Sequence, residues 1–177
     1  MPRFRPAAWP GSTVTAQRTY LRNPIATAAA AAFAVAIIGA LMTDLSPWYF
    51  ALEQPAWKPP DLLFGPVWTV IFALCAVAGV RAWARLRDDR SAREWLLAAF
   101  ALNAFLNLLW SLLFFRLQRP DWALMEVPFL WLSILLLMWL LWRTGRGNAL
   151  LLLPYLLWVG VAAMLNLEVV RLNAPFA

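Results

Sequence analysis

The residues of this chain that could do chemistry are aromatic rings and amides. Twelve tryptophans occur among 177 residues, whereas histidine is absent and Cys75 is the single cysteine. Without histidine, imidazole metal ligation and His-dependent nucleophilic catalysis are excluded, and one cysteine forms no internal disulfide. Cys75 lies inside an apolar run, where cysteine packs as a small hydrophobe. The chemistry left to the chain is stacking on indole rings, which are also oxidisable, and hydrogen bonding to amides.

One polar face carries most of the amide chemistry. Asn103, Asn107 and Ser111 follow one another at intervals of four residues, which places them on one side of a helix. Polar groups in hydrocarbon are costly unless they are paired, so this face is expected to point into a bundle. Two interpretations stay open, namely hydrogen bonding between helices and a polar wall of a cavity.

A second face, further along the chain, combines a large ring with small side chains. Trp158, Ala162 and Leu165 share one side of a helix, and a ring above an alanine leaves a concavity into which a flat ligand could slide. Such a stripe is more often core packing. Trp68, Trp110 and Trp158 nevertheless lie deeper in their apolar runs than the aromatic belts of membrane interfaces explain.

The elements that must position these residues are five apolar runs. The chain is 63% hydrophobic and 14% charged, against about 25% charged residues in soluble domains, so lipid is expected to solvate much of it. About 20 residues at 1.5 Å each cross a hydrocarbon core of about 30 Å, and backbone groups in lipid must be paired within the segment. We therefore predict an all-α membrane protein, a five transmembrane helix bundle over residues 25–173, with spans at about 25–42, 62–85, 94–116, 121–143 and 148–171.

Basic residues predict the orientation. The tail, the second loop and the fourth loop hold eleven arginines on one side of the bundle, against four basic residues on the other. Basic loops face the cytoplasm, so a cytoplasmic N-terminus is expected. Residues 1–24 are basic and free of acids, which predicts a disordered tail. Nucleic-acid binding is not expected, because the basic residues cluster at the ends of apolar runs.

The segment Trp48–Trp68 joins the first two runs and is unusually stiff. It follows Pro47 and itself holds four prolines, Pro55, Pro59, Pro60 and Pro66. Proline fixes φ and removes a hydrogen-bond donor, so the segment cannot be one continuous helix. A stiff aromatic loop at a membrane face is expected to cover or line something.

Two further features of the runs predict packing. Small residues recur every four positions in the first run, at Ala28, Ala32, Ala36 and Ala40, and such a stripe allows another helix to approach closely, within the chain or in a dimer. Glu126 and Glu168 lie near span ends. Glu126 is expected to begin the fourth helix, where a carboxylate suits the positive helix end, and both acids are expected to be structural.

The motifs taken together resemble one family. They are Trp48-Tyr49, Pro55-x-Trp57-x-Pro59-Pro60, Gly65-Pro66-x-Trp68, Asn103-x-x-x-Asn107-x-x-Trp110-Ser111, Leu153-Pro154-Tyr155-x-x-Trp158, Leu165-Asn166 and Arg171-Leu172-Asn173. In order and spacing they are similar to the TspO/translocator protein family, also called tryptophan-rich sensory proteins or peripheral-type benzodiazepine receptors. The resemblance covers about residues 25–173.

The resemblance implies a five-helix bundle, often dimeric, that binds porphyrins such as protoporphyrin IX under the first loop. It also implies binding of isoquinoline carboxamide and benzodiazepine drugs. No metal and no cofactor are required. The ligand-binding residues that it implies are Tyr49, Trp68, Asn103, Asn107, Trp158, Ala162 and Leu165.

The resemblance leaves three functions open, with a sensory and regulatory porphyrin-binding protein in the bacterial cell envelope as the first. The second is an enzyme for light-dependent oxidative degradation of protoporphyrin IX, in which Trp68 and Trp158 would take part. The third is a transporter of porphyrin or small lipids. Sterol binding is not expected, because Glu168 stands where the sterol motif of animal members needs a tyrosine.

Overall fold

The computed structural model describes residues 24–176, and all regular elements in that range are helical. The tail predicted to be disordered lies outside the described residues, apart from Pro24. The helices are α1 (Pro24–Met42), α2 (Pro47–Ala51), α3 (Phe64–Arg85), α4 (Arg90–Ser111), α5 (Pro120–Thr144), α6 (Arg146–Leu150) and α7 (Leu153–Asn173). A short 3-10 turn, Asp61–Leu63, precedes α3, and one π-helical turn, Leu112–Arg116, continues α4.

Five segments are long and apolar enough to cross a membrane. They are α1, α3 with its preceding turn, α4 with its π turn, α5, and α6 together with α7. The predicted five transmembrane helix bundle is therefore confirmed within residues 24–176. Short connections make successive spans antiparallel, so α1 and α4 begin on the same side of the bundle, where arginines are concentrated.

The bundle is organised around α5. Three apolar clusters fill its interior, and α5 contributes to each of them, with Leu137 in the first, Ile134 in the second and Ala123 in the third. In contrast, α1 contributes no buried residue and packs mainly on α3 and α4. The bundle therefore has a tightly packed side around α5 and a side at α1 where no residue is buried.

The loop after α1 is closed onto the ends of α4 and α7. The Asn173 side chain accepts from the Glu53 backbone N–H at 2.8 Å and donates to the Glu53 carbonyl at 2.9 Å. The ring of Trp48 lies edge-on to Phe114, with centroids 6.3 Å apart. Helix α2 begins at Pro47, as the missing proline N–H allows at a helix start. Two hydrogen bonds between the Asn173 side chain and the Glu53 backbone, together with aromatic contacts, thus fix the loop over one end of the bundle.

Glu126 lies deeper than the sequence suggested. It was expected to begin the fourth helix, but α5 begins six residues earlier, at Pro120, and Asp121 is the acid of its first turn. Proline at the first helical position starts the helix there. Glu126 is 7% exposed, and neither carboxylate oxygen has a hydrogen-bond partner among residues 24–176.

Candidate functional site

The phenol of Tyr155 is the centre of a buried polar network. Tyr155, on α7, is 2% exposed. Its hydroxyl donates to Asn103 Oδ1 at 3.1 Å and accepts from Asn107 Nδ2 at 3.3 Å. Asn103 Nδ2 also donates to Ser133 Oγ at 2.8 Å. The network therefore joins α4, α5 and α7 through side chains that hydrocarbon could not solvate.

The asparagine face was expected either to form hydrogen bonds between helices or to line a cavity, and this network supports the first interpretation. Asn103 and Asn107 do make hydrogen bonds between helices, whereas Ser111 donates to the Asn107 carbonyl within α4 at 3.3 Å. Sequence reasoning did not select Tyr155 or Ser133 as site residues. Tyr155 stands in the Pro154-Tyr155 motif, and a phenol hydroxyl inside an apolar run must find a partner. That requirement was the sequence signal that could have identified Tyr155 as a site residue.

The same asparagines also line a cavity of about 200 Å³. The cavity lies between α1, α3 and α4, and its polar inner end is formed by Asn103, Asn107 and Tyr155. Its other walls are mostly small or apolar side chains, among them Ala28, Ala32, Phe72, Cys75, Gly79 and Ala104. Sites for drug-sized ligands occupy about 300–1,000 Å³, so this cavity is too narrow for a macrocycle.

The two tryptophans expected at the site lie outside the walls of this cavity. Trp68 is edge-on to Tyr155, with centroids 5.9 Å apart, and it stacks on Phe72 at 5.4 Å. Trp158 is edge-on to Phe64 at 5.4 Å. The indole Nε1 of Trp158 is buried and has no hydrogen-bond acceptor among residues 24–176. Trp68 thus borders the polar network, and Trp158 offers an unused donor.

Two other expected site residues, Ala162 and Leu165, are half-buried on α7. They are one and two turns beyond Trp158, on the same side of the helix. Neither lines the cavity between α1, α3 and α4. Of the seven expected ligand-binding residues, the structure brings Asn103 and Asn107 to the cavity and Trp68 to the edge of Tyr155.

Tyr49, the remaining expected residue, belongs to a charged cluster in the loop. Its hydroxyl donates to Asp61 Oδ1 at 3.0 Å and accepts from Lys58 Nζ at 3.0 Å, and Lys58 pairs with Asp61 at 2.7 Å. Burial raises the pKa of Tyr49, because the neutral phenol is favoured away from water, and Lys58 only partly opposes this. Burial lowers the pKa of Lys58, but its hydrogen bonds to Asp61 and Tyr49 raise that pKa more, so it lies above the ordinary lysine value.

The arrangement is suited to binding. No group of three or more His, Cys, Asp or Glu side chains that could hold a metal occurs in the described part of the chain. The polar groups at the network are amides and a phenol, flanked by an indole ring. Such groups hold an aromatic ligand by stacking and hydrogen bonding.

Comparison with known proteins agrees with this architecture. Residues 26–172 match the TspO/MBR family. The tryptophan-rich protein TspO of Chlorobaculum tepidum is 39% identical over 132 residues, which cover 71% of this chain and 80% of that protein. The tryptophan-rich sensory protein of Cereibacter sphaeroides is 35% identical over 144 residues, covering 81% and 87%. The translocator protein of Ovis aries is 30% identical over 120 residues, covering 67% and 70%.

The family match begins within α1 and ends within α7, so it includes all five membrane-spanning segments. It also includes the loop, the polar network and both tryptophans that border them. The chain therefore belongs to the TspO/MBR family and is an integral, multi-pass membrane protein.

Proposed function

We propose that this protein binds a tetrapyrrole such as protoporphyrin IX inside its helix bundle, under the loop, and acts as a membrane sensor or regulator. The arginine-rich side, and with it the N-terminus, would face the cytoplasm. The relative from Cereibacter sphaeroides is named a tryptophan-rich sensory protein, which supports a sensory role. The ligand would lie near Trp68 and Trp158, with the loop closing the entrance.

The observation that most supports this proposal is the unused indole donor of Trp158. Buried N–H groups are nearly always paired, and an unpaired one costs free energy. Trp158 Nε1 has no acceptor among residues 24–176, although its ring is already packed against Phe64. An acceptor on a bound macrocycle would satisfy this donor, and the faces of Trp68 and Trp158 would stack on the ring system.

Binding of a macrocycle requires the bundle to open. The cavity beside the polar network is below the volume of drug-sized sites. The loop is held by Asn173 and by the rings of Trp48 and Phe114, which are contacts that can be released without breaking a span. We therefore place ligand entry at the loop end of the bundle.

The proposal is tested by titrating detergent-purified protein with protoporphyrin IX in the dark and following tryptophan fluorescence. Saturable quenching is expected from the unmodified protein. A double variant, Asn107→Leu with Ala162→Phe, removes an amide and fills the concavity beside Trp158, so it should lose saturable quenching. Leu157→Phe is the matched control, because Leu157 lies on α7 but is 62% exposed to lipid.

Two outcomes of this titration would contradict the proposal. If quenching does not saturate, or if the double variant and the unmodified protein give the same curve, porphyrin is only partitioning into detergent. Tetrapyrrole binding inside this bundle would then be rejected.

A second candidate function is light-dependent oxidation of the bound porphyrin by dioxygen. The contact between Trp68 and Tyr155 favours it, because two oxidisable rings lie 5.9 Å apart at the polar network. Under light, Trp68→Phe and Trp158→Phe should abolish product formation. Dark binding should stay saturable in both, because a phenylalanine ring still stacks, although Trp158→Phe should weaken it by removing the indole donor. Trp139→Phe is the control, since Trp139 is 54% exposed on the outside of α5. Normal conversion rates in both site variants would refute this function.

A further inference from the structure

The cavity between α1, α3 and α4 has the depth of one membrane leaflet. Its walls on α4 run from Leu96 to Asn107, which corresponds to about 16 Å at 1.5 Å per residue. This distance is about half of a hydrocarbon core of about 30 Å. The cavity therefore reaches from the arginine-rich side of the bundle, where α1 and α4 begin, to the level of the polar network.

The cavity exists because α1 offers small side chains to its neighbours. Ala28 and Ala32, two members of the small-residue stripe, line the gap, and Gly79 of α3 and Ala104 of α4 face the same space. The exposed residues Ala31 and Leu97 also belong to the lining. The gap thus opens between α1 and α4 toward the surrounding lipid, and its walls are almost wholly apolar.

A positive charge packs against a wall residue at the arginine-rich end of this cavity, although no charged side chain of residues 24–176 lines the cavity itself. Trp83 lines the cavity at the end of α3, and the guanidinium carbon of Arg93 lies 4.5 Å from the centroid of a Trp83 ring. Arg93 donates to the Trp83 carbonyl at 3.0 Å. Its Nε is buried without a hydrogen-bond partner, and Arg93 forms no ion pair within residues 24–176. A guanidinium in this position has free donors for a phosphate oxygen.

We propose that this cavity binds one acyl chain of an anionic membrane phospholipid, whose phosphate group is held by Arg93. Three observations favour this occupant: the apolar walls, a depth of one leaflet, and the Arg93 guanidinium packed on Trp83 at the mouth of the cavity. The inner end of this cavity shares Asn103 and Asn107 with the proposed tetrapyrrole site, but its mouth lies at the end of the bundle opposite the loop. A lipid chain there would complete the packing of α1, the span with no buried residue.

The test uses full-length protein in detergent and contains no porphyrin. The probe is phosphatidylglycerol with a diazirine at the end of one acyl chain, and the cross-linked peptides are identified by mass spectrometry. Cross-links are expected on α3 and α4 near Phe72, Cys75 and Ala104, at the inner part of the cavity. Ala32→Phe, which fills the gap from α1, should remove them, whereas Ala30→Phe, on the exposed side of the same helix, should keep them.

A second filling variant protects the test against misfolding of the first. Gly79→Leu fills the cavity from α3, and a Cβ at Gly79 would meet only the Phe100 ring at an ordinary contact distance of 3.5 Å. Its circular dichroism should match that of the unmodified protein. Cross-links that stay on cavity residues in both filling variants, or that fall only on lipid-facing residues such as Leu102 and Phe105, would overturn the proposal.

The role of Arg93 is tested by comparing lipid probes that carry different head groups. Arg93→Gln should lower cross-linking by the phosphatidylglycerol probe about fivefold, as expected for one basic residue near an anionic lipid surface. Cross-linking by the same probe with an ethanolamine head group, which is zwitterionic, should change less. Equal cross-linking by the two probes in the unmodified protein would refute selection of an anionic lipid.

Discussion

Helices α1 and α5 are both apolar and both long enough to cross a membrane, yet they are packed in opposite ways. α5 supplies residues to all three apolar clusters, including Ile134 and Leu137, which are fully buried. α1 supplies none, and three of its alanines line a cavity. In a bilayer, apolar character alone does not drive helices together, because lipid solvates an apolar surface as well as a protein interior does. Side-chain size and shape decide which span is buried.

The buried polar network borders both the tightly packed side and the loosely packed side of the bundle. Around α5, Asn103, Tyr155 and Ser133 satisfy one another. On the α1 side, the same network meets a gap with no bulky side chain from α1 to close it. The tightly packed half therefore fixes the geometry of the site, and the loosely packed half leaves room for a membrane component.

The largest expected difference between the two helices is in the stability that is lost when a leucine side chain is truncated to alanine. Leu137→Ala, at a fully buried position of α5, should lower the free energy of unfolding by about 2–5 kcal/mol, because packing contacts are lost and a cavity remains. Leu41→Ala, at a 62% exposed position of α1, should change it by no more than about 0.5 kcal/mol. Unfolding in mixed micelles by titration with dodecyl sulfate measures both. Equal effects would mean that α1 is packed as firmly as α5.

The polar network should show the next largest effect. Tyr155→Phe removes the donor to Asn103 and the acceptor for Asn107, leaving two buried amide groups short of a partner. The expected loss is about 1–2 kcal/mol. Ser133→Ala removes one hydrogen bond at Asn103 and should cost less in the same titration. If Ser133→Ala costs as much as Tyr155→Phe, the phenol is not the centre of the network.

Filling the cavity beside α1 should raise the free energy of unfolding, in contrast to the two preceding substitutions. Ala32→Leu adds packing contacts where the cavity offers space, so delipidated protein should gain about 0.5–1 kcal/mol of stability. Ala30→Leu, on the exposed side of the same turn, is the matched control and should be neutral. A loss of stability in Ala32→Leu alone would show that α1 already packs closely there.

The smallest effect is expected in the loop, and it depends on pH. The pKa values of Lys58 and Tyr49 are both raised in the folded loop, so both groups hold their protons more tightly there than in the open chain. Their contribution to loop closure is complete below the ordinary tyrosine pKa of about 10, the lower of the two open-chain values, and is lost as pH rises through the higher folded values. For a partly exposed cluster this contribution is no more than about 1 kcal/mol.

A spin label reports this alkaline opening. The label is attached to a Trp57→Cys variant that also carries Cys75→Ser, and Trp57 is 48% exposed. Label mobility should be low at pH 8 and rise above the ordinary lysine pKa of about 10.4. With Lys58→Met the mobility should already be raised at pH 8 and should increase less with pH. Mobility that is independent of both pH and Lys58 would show that Asn173 and the aromatic contacts alone hold the loop.

Much of the architecture could be predicted because it follows from local chemistry. Runs of about 20 apolar residues must be helices in lipid, and the structure has five such spans. The spacing of Asn103 and Asn107 indicated one inward face, and both side chains are buried. The start of α5 was predicted within one residue, at 121, yet Glu126 was still assigned to the helix start and not to its buried interior.

The number of spans, the stiff loop, the inward asparagine face and the family follow from the amino-acid sequence alone, because each depends on residue type and on spacing along one chain. The bond between Tyr155 and the asparagines, the burial of Glu126 and the cavity beside the alanines of α1 became visible only in the folded bundle. These features depend on which side chains meet across helices. Lipid and protein interior solvate apolar surface equally well, so hydropathy does not specify which side chains make contact between helices. The fit of side chains between helices specifies these contacts.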